Sequence, residues 1–209
     1  MKKIFSILLA LCLIIGLTAC SGGNDADEAA ETENEQAAAE EQTDDVSGNS
    51  GDETLVVYFS ATGNTRAVAE KIASITGADI YEIKAAQEYT EADLDWNDSD
   101  SRTTHEQNDA SVRPEIGSEP VSLEGYKTIY IGYPIWWGEE PRIMDTFVES
   151  YGFDSITMIP FCTSGGSGIG RSGQNLAENA GSGNWLEGAR FSGSASEDEL
   201  RSWIEGLNQ

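Results

Sequence analysis

The apolar residues of this chain fall into three textures. Residues 4–16 form an almost unbroken apolar run behind Lys2 and Lys3. Residues 21–53 hold one branched aliphatic residue, Val46, and no aromatic. From residue 54 onward, short apolar runs alternate with amphipathic stretches. Thr54–Ser60 is a near-continuous apolar run, the pattern of a strand buried on both faces. Residues 64–75 then place Val68, Ile72 and Ile75 on one helical face. Further strands are predicted at 79–84, 127–133 (stopped by Pro134) and 155–162, with a short fifth at 189–192. Helices are predicted from Pro141 to about Tyr151, at 171–179 and at 197–207, Pro being well suited to a first helical position. Strands alternating with helices predict an α/β domain, a doubly wound parallel sheet covered on both faces. Ligands of such sheets bind at the carboxyl ends of the strands.

The apolar run at 4–16 is too short to span a bilayer as a stable helix. With its basic start it reads as an export signal occupying residues 1–20. Leu17-Thr18-Ala19-Cys20 resembles a bacterial lipobox, which implies that Cys20 becomes the acylated first residue of a membrane-anchored lipoprotein on the extracytoplasmic side. A plain secretory signal with a coincidental Cys is the other reading. Residues 21–53 carry twelve Asp/Glu and no Lys, Arg or His, and cannot bury enough apolar surface to offset chain entropy. They read as a disordered acidic tether spanning roughly 30 Å, leaving 54–209 as the folded domain.

Charge narrows the partners. The formal net charge is −25, and outside the leader and tether 25 acids face ten bases. Nucleic acid is excluded as a partner, because phosphate backbones are held by clustered Lys and Arg. With Cys12 leaving in the leader and Cys20 acylated, Cys162 stands alone beside one histidine, His105, so no metal site or Cys/His catalytic pair is expected. Cys162, ending an apolar strand, reads as a buried structural thiol.

Three loops fall at predicted strand ends. Ser60-Ala61-Thr62-Gly63-Asn64-Thr65 joins the first strand to the first helix. Gly63 permits a tight turn, backbone N–H groups and a helix N-terminus favour an anion, and Ser60, Thr62, Asn64 and Thr65 add polar groups. The alternative is an ordinary capped turn. Tyr133-Pro134-Ile135-Trp136-Trp137-Gly138 follows the third strand. Adjacent side chains on a loop diverge, so one Trp is expected to pack inward and the other to face a cleft, where its ring can stack on a flat ligand. Thr163-Ser164-Gly165-Gly166-Ser167-Gly168 follows the fourth strand, its glycines allowing close backbone approach. Gly168-Ile169-Gly170-Arg171-Ser172-Gly173 mimics a dinucleotide fingerprint, but 36 residues remain after it, too few for a Rossmann domain.

Ser-x-Thr-Gly-Asn-Thr after a buried first strand resembles the phosphate loop of flavodoxins, and the resemblance runs over essentially all of 54–209. It implies a flavodoxin-like five-stranded parallel sheet of order 2-1-3-4-5, with a long insertion after strand 2, and FMN as cofactor. By that resemblance Ser60, Thr62, Gly63, Asn64 and Thr65 hold the 5′-phosphate. The loop bearing Pro134, Trp136, Trp137 and Gly138 supplies an aromatic over the isoalloxazine, with Trp136 favoured and Trp137 a candidate. Thr163, Ser164, Gly165 and Gly166 border the flavin's pyrimidine edge. Flavodoxins often carry a stacking Tyr in this last loop, whereas residues 162–170 hold no aromatic. The insertion, about 85–122, carries ten acids with Tyr89, Trp96, Arg102, His105 and Arg113. Trp96 or Tyr89 could replace the missing ring as part of a lid, the two arginines are expected to pair with nearby acids, and His105 is expected on a solvated loop.

The function implied is electron transfer to unidentified, basic redox proteins, with no catalytic residue in the chain itself. An NAD(P)H-dependent flavin or quinone oxidoreductase on the same fold is the alternative, opposed by the lack of a basic pocket for a nucleotide phosphate and of an acid–base pair. A flavin-free binding module is a third.

Overall fold

A computed structural model describes residues 53–207. The leader and the tether, Glu53 excepted, lie outside the described residues, and with them Cys20.

Six strands and five helices follow one another as β1 (Thr54–Phe59), α1 (Asn64–Thr76), β2 (Asp79–Ile83), α2 (Arg102–Asn108), β3 (Thr128–Pro134), α3 (Arg142–Glu149), β4 (Thr157–Thr163), α4 (Ser172–Ala180), β5 (Asn184–Trp185), β6 (Ala189–Phe191) and α5 (Glu197–Leu207). The sheet runs β2-β1-β3-β4-β5, with β6 also paired to β4, and every pairing is parallel. Alternation along β1 explains the two covered faces. Leu55, Val57 and Phe59 pack toward α3 and α4, among Ile143, Met144, Phe147 and Leu176. Val56 and Tyr58 pack toward α1 and α5, among Val68, Ala69, Ile72, Leu200 and Ile204. Cys162 is buried among the first of these groups, and burial pushes its thiol up to about 12.

Two features depart from the sequence reading. The fifth strand position is split into β5 and β6, which pair with residues 157–158 and 161–163 of β4. Pro160 lies in the gap. Met158 accepts from Leu186 N–H at 2.9 Å, so Pro160, of the same parity, turns its missing N–H toward the break. Gly188 closes against it, with a Cβ there falling 2.6 Å from the Pro160 carbonyl oxygen. The insertion, in turn, is ordered, as its aromatics and arginines suggest, but contains a helix, α2, that the sequence reading does not place. Its neck is tied by Gly117 N–H to Lys84 O at 2.7 Å and Ala86 N–H to Glu115 O at 2.9 Å. His105 is exposed, as expected, but sits on α2 rather than a loop. Arg102 pairs within the insertion, with Glu106, whereas Arg113 reaches Glu149 on α3.

Candidate functional site

The chain leaves β1 toward β2 on one side and returns to β3 on the other, so strand order reverses between β1 and β3. Crevices at such a reversal, beyond the carboxyl ends of the strands, are where doubly wound sheets hold ligands. The loops after β1 and β3 flank this crevice.

Gly63 starts α1 in the left-handed conformation, φ +84°, which glycine adopts without strain. The first helical bond runs from Ala67 N–H to Gly63 O at 3.0 Å. The N–H groups of Asn64, Thr65 and Arg66 therefore precede the ladder, at the positive end of the helix. Asn64 donates through Nδ2 to Thr62 Oγ1 at 3.1 Å, and both side chains are exposed. Ser60 Oγ is buried and has no hydrogen-bond partner, a condition that costs about 1–3 kcal/mol until something supplies one. Thr65 is placed differently from its neighbours. It is buried, and its hydroxyl meets that of Thr163 at 2.8 Å, joining the start of α1 to the end of β4. What Thr65 presents to a ligand is its backbone N–H.

The tryptophan loop is a two-residue hairpin. Trp136 and Glu139 exchange both backbone hydrogen bonds at 3.0 Å, with Trp137 (φ +51°) and Gly138 (φ +87°) as the turn. Positive φ at both central positions is type I′ geometry, which favours Asn-Gly. Trp137 holds it at a cost of order 1 kcal/mol or more, the kind of strain that gathers at binding sites. Trp136 packs edge to face on Phe59 and Tyr89, at ring separations of 5.6 and 5.2 Å, while Trp137 is 46 % exposed. Both rings border one cleft of about 370 Å³, together with Thr62, Ile135, Leu94 and Trp96. Pro134 ends β3, and Ile135 N–H donates to Thr163 O at 3.0 Å.

Asn64, Thr163, Ser164, Gly165, Ser192 and Ser194 border a second, polar cleft of about 380 Å³. Gly165 and Gly166 are exposed, with open space where a Cβ would stand. Ser164 is fixed by its N–H to Phe191 O at 3.2 Å and by Arg190, whose Nη2 donates to Ser164 O at 2.6 Å.

Several contributors escaped the sequence reading. Gly193 lies so close to Asn64 that a Cβ would fall 2.5 Å from Oδ1, so this glycine sets where the Asn64 amide stands. The signal was a Ser-Gly-Ser triplet directly after the last strand. Gln107 of α2 donates through Nε2 to the carbonyls of Trp136 (2.8 Å) and Glu140 (3.2 Å), clamping the insertion to the tryptophan loop. Glu140 is fully buried beneath that loop, beside Arg142 and Asn175, and burial pushes its carboxyl up to about 7. Tyr89 is half-buried and borders a cleft of about 280 Å³ with Ser60 and Ala61, while its hydroxyl donates to Glu106 at 2.8 Å and the Arg102 guanidinium stacks 3.9 Å from its ring centre.

A parallel doubly wound sheet with a left-handed glycine opening a helix at its reversal and an aromatic loop beside it defines a flavodoxin-like domain. The chain belongs to the flavodoxin family, whose model, described as Flavodoxin, matches residues 53–207. The solved structures it is similar to include a candidate flavoprotein from Bacteroides eggerthii, at 43% identity and TM-score 0.70, covering 75% of this chain and 98% of that one. A second candidate flavoprotein, from Bacteroides uniformis, shows 45% identity and TM-score 0.70 over 74% and 99% of the two chains. A flavoprotein from Lactobacillus acidophilus, solved in complex with FMN, shares the fold at 24% identity and TM-score 0.58, over 76% and 99%. The comparison with curated proteins gave no match.

Proposed function

We propose that the chain is an FMN-binding electron-transfer protein, held outside the cytoplasmic membrane through acylated Cys20. The observation that carries the cofactor assignment is the first loop: a buried Ser60 hydroxyl without a partner, beside a left-handed Gly63 and three outward N–H groups at the reversal of strand order. That donor set fits a phosphate monoester. The FMN complex of the Lactobacillus acidophilus flavoprotein adds weight, since it shares this fold. When bound, FMN supplies the electron-accepting ring. Thr62 and Asn64 hold and orient the phosphate, Trp136 and Trp137 border the ring, and the Ser164–Gly166 backbone borders its polar edge.

A carrier is favoured over a nicotinamide-dependent reductase because most arginines among the described residues are engaged. Arg66, Arg102, Arg113 and Arg142 are each paired with acids, so they form no pocket for a nucleotide phosphate. The acidic surface suits docking to basic redox proteins.

Stopped-flow mixing with NADH or NADPH tests this reading. Slow, non-saturating bleaching of the flavin band is expected, with full reduction by dithionite. Fast saturable bleaching with turnover to a quinone would make the protein a reductase. For location, Cys20→Ser is expected to move the chain from the membrane to the aqueous fraction, and an unchanged distribution would refute anchoring.

A further inference from the structure

Residues 162–170 contain no aromatic side chain, so the loop after β4 cannot cover a flat ring by stacking. The structure brings aromatic surface to the crevice from elsewhere. Among the described residues three large hydrophobic side chains are exposed: Ile80, Trp96 (74 %) and Trp137 (46 %). Two of the three, Trp96 and Trp137, border the same 370 Å³ cleft, which Thr62 connects to the anion-binding loop. That volume lies within the range of small-molecule clefts, roughly 300–1,000 Å³.

Trp96 is not exposed because its segment is loose. On its N-terminal side, the Asp93 carboxylate accepts from Thr90 N–H and Oγ1, both at 2.8 Å, and Asp93 O accepts from Thr103 Oγ1 at 2.7 Å. On its C-terminal side, Asp95 Oδ1 accepts from Asn97 N–H at 2.9 Å and Asp98 O accepts from Thr104 Oγ1 at 2.9 Å. Both Thr103 and Thr104 belong to α2, which Gln107 fastens to the carbonyl of Trp136. The insertion thus holds Trp96 on a fixed support whose position is tied to the tryptophan loop. A large apolar ring kept in water on ordered backbone is the arrangement of a binding surface.

We propose that Leu94 and Trp96 form an added wall of the flavin-ring site, so that the insertion does for this chain what a stacking residue after β4 does not. The proposal rests on FMN being the cofactor. It assigns the insertion to ring contact and leaves the phosphate to the first loop, and this division is what an experiment can read.

The test titrates the full chain, freed of flavin, with FMN, riboflavin and lumiflavin, which lacks the ribityl phosphate. Trp96→Ala is expected to weaken all three by one common factor, about tenfold or more, in line with the loss of stacking on a flat heteroaromatic ring. Trp96→Phe is expected to recover most of it, and Leu94→Ser to weaken all three to a smaller extent. Thr62→Ala is expected to weaken FMN alone. Hydrogen exchange at amides 94–98 is expected to slow when FMN is added to the parent chain. Unchanged affinities for all three flavins in Trp96→Ala, or a loss confined to FMN, would overturn the proposal while leaving the cofactor assignment standing. A parent chain that binds none of the three flavins would overturn both.

Discussion

The sheet and the insertion are both ordered, and they are held together by opposite kinds of chemistry. In the sheet, β1, β3 and β4 bury consecutive apolar residues between two helical layers. Around α2 the buried side chains Ser101, Thr103, Thr104 and Glu106 are each satisfied by a hydrogen bond, while the Oε1 of Gln107 is buried without one. Apolar burial is non-directional and tolerates imprecise geometry, whereas a polar core is stable only while every member has its partner. The sheet is therefore the source of global stability. The insertion is a precise attachment, able to hold Trp96 and Gln107 in place but open to local release.

The largest effect expected from this contrast is in the apolar layer. Phe147 is fully buried and contacts the rings of Tyr151, Phe153 and Tyr81. Phe147→Ala should lower unfolding free energy in urea by about 3–5 kcal/mol. A loss under 1 kcal/mol would deny the sheet its place as the source of stability.

The seam between the two regions comes next. Glu140 is fully buried near Arg142, Asp145, Asn175 and Tyr133, and its backbone carbonyl accepts from Gln107. Burial raises its carboxyl from 4.5 to about 7. Between those values the folded chain keeps a proton that the unfolded chain has released, so this residue makes stability fall as pH rises through the window, by about 3 kcal/mol in all. Glu140→Gln keeps an acceptor for Asn175 and cannot ionise. Its advantage over the parent should grow from pH 4.5 to 7 and then level off, as read by urea unfolding at stepped pH. A difference that does not vary with pH would contradict the assignment.

The smallest effect belongs to the insertion. Glu106→Ala leaves the Tyr89 hydroxyl and Arg102 without their shared carboxylate, at a cost of about 1–3 kcal/mol. Hydrogen exchange should quicken within residues 88–108 and leave β1 and β3 nearly unchanged. Equal acceleration in the sheet would mean that the two regions open as one.

The same contrast explains what could be read from the sequence. Leu55 through Phe59, Ile129 through Ile131 and the Val68, Ile72 face of α1 announce their elements through hydrophobic period, and α5 begins and ends where the pattern placed it. The α2 segment, Arg-Thr-Thr-His-Glu-Gln-Asn, has no apolar period, because its inward face is polar and its order comes from distant partners. The split of the last strand followed from Pro160 in the neighbouring strand, which a reading confined to the last strand's own residues does not include. At the site, the residue types of the first loop pointed toward a phosphate, but how its side chains are placed needed coordinates. Thr65 and Asn64 are adjacent in sequence, yet one hydroxyl is buried against Thr163 and the other side chain faces solvent beside Gly193.

Under the proposed function, the loop after β1 selects a phosphate-bearing flavin. Isothermal titration of the chain with FMN and with riboflavin, in parent, Thr62→Ala and Asn64→Ala forms, tests it most directly. One FMN per chain is expected, with tighter binding of FMN than of riboflavin and a loss of about 1–3 kcal/mol for FMN in each variant while riboflavin is little changed. Equal affinity of the parent for the two flavins, or equal losses for both in the variants, would contradict it.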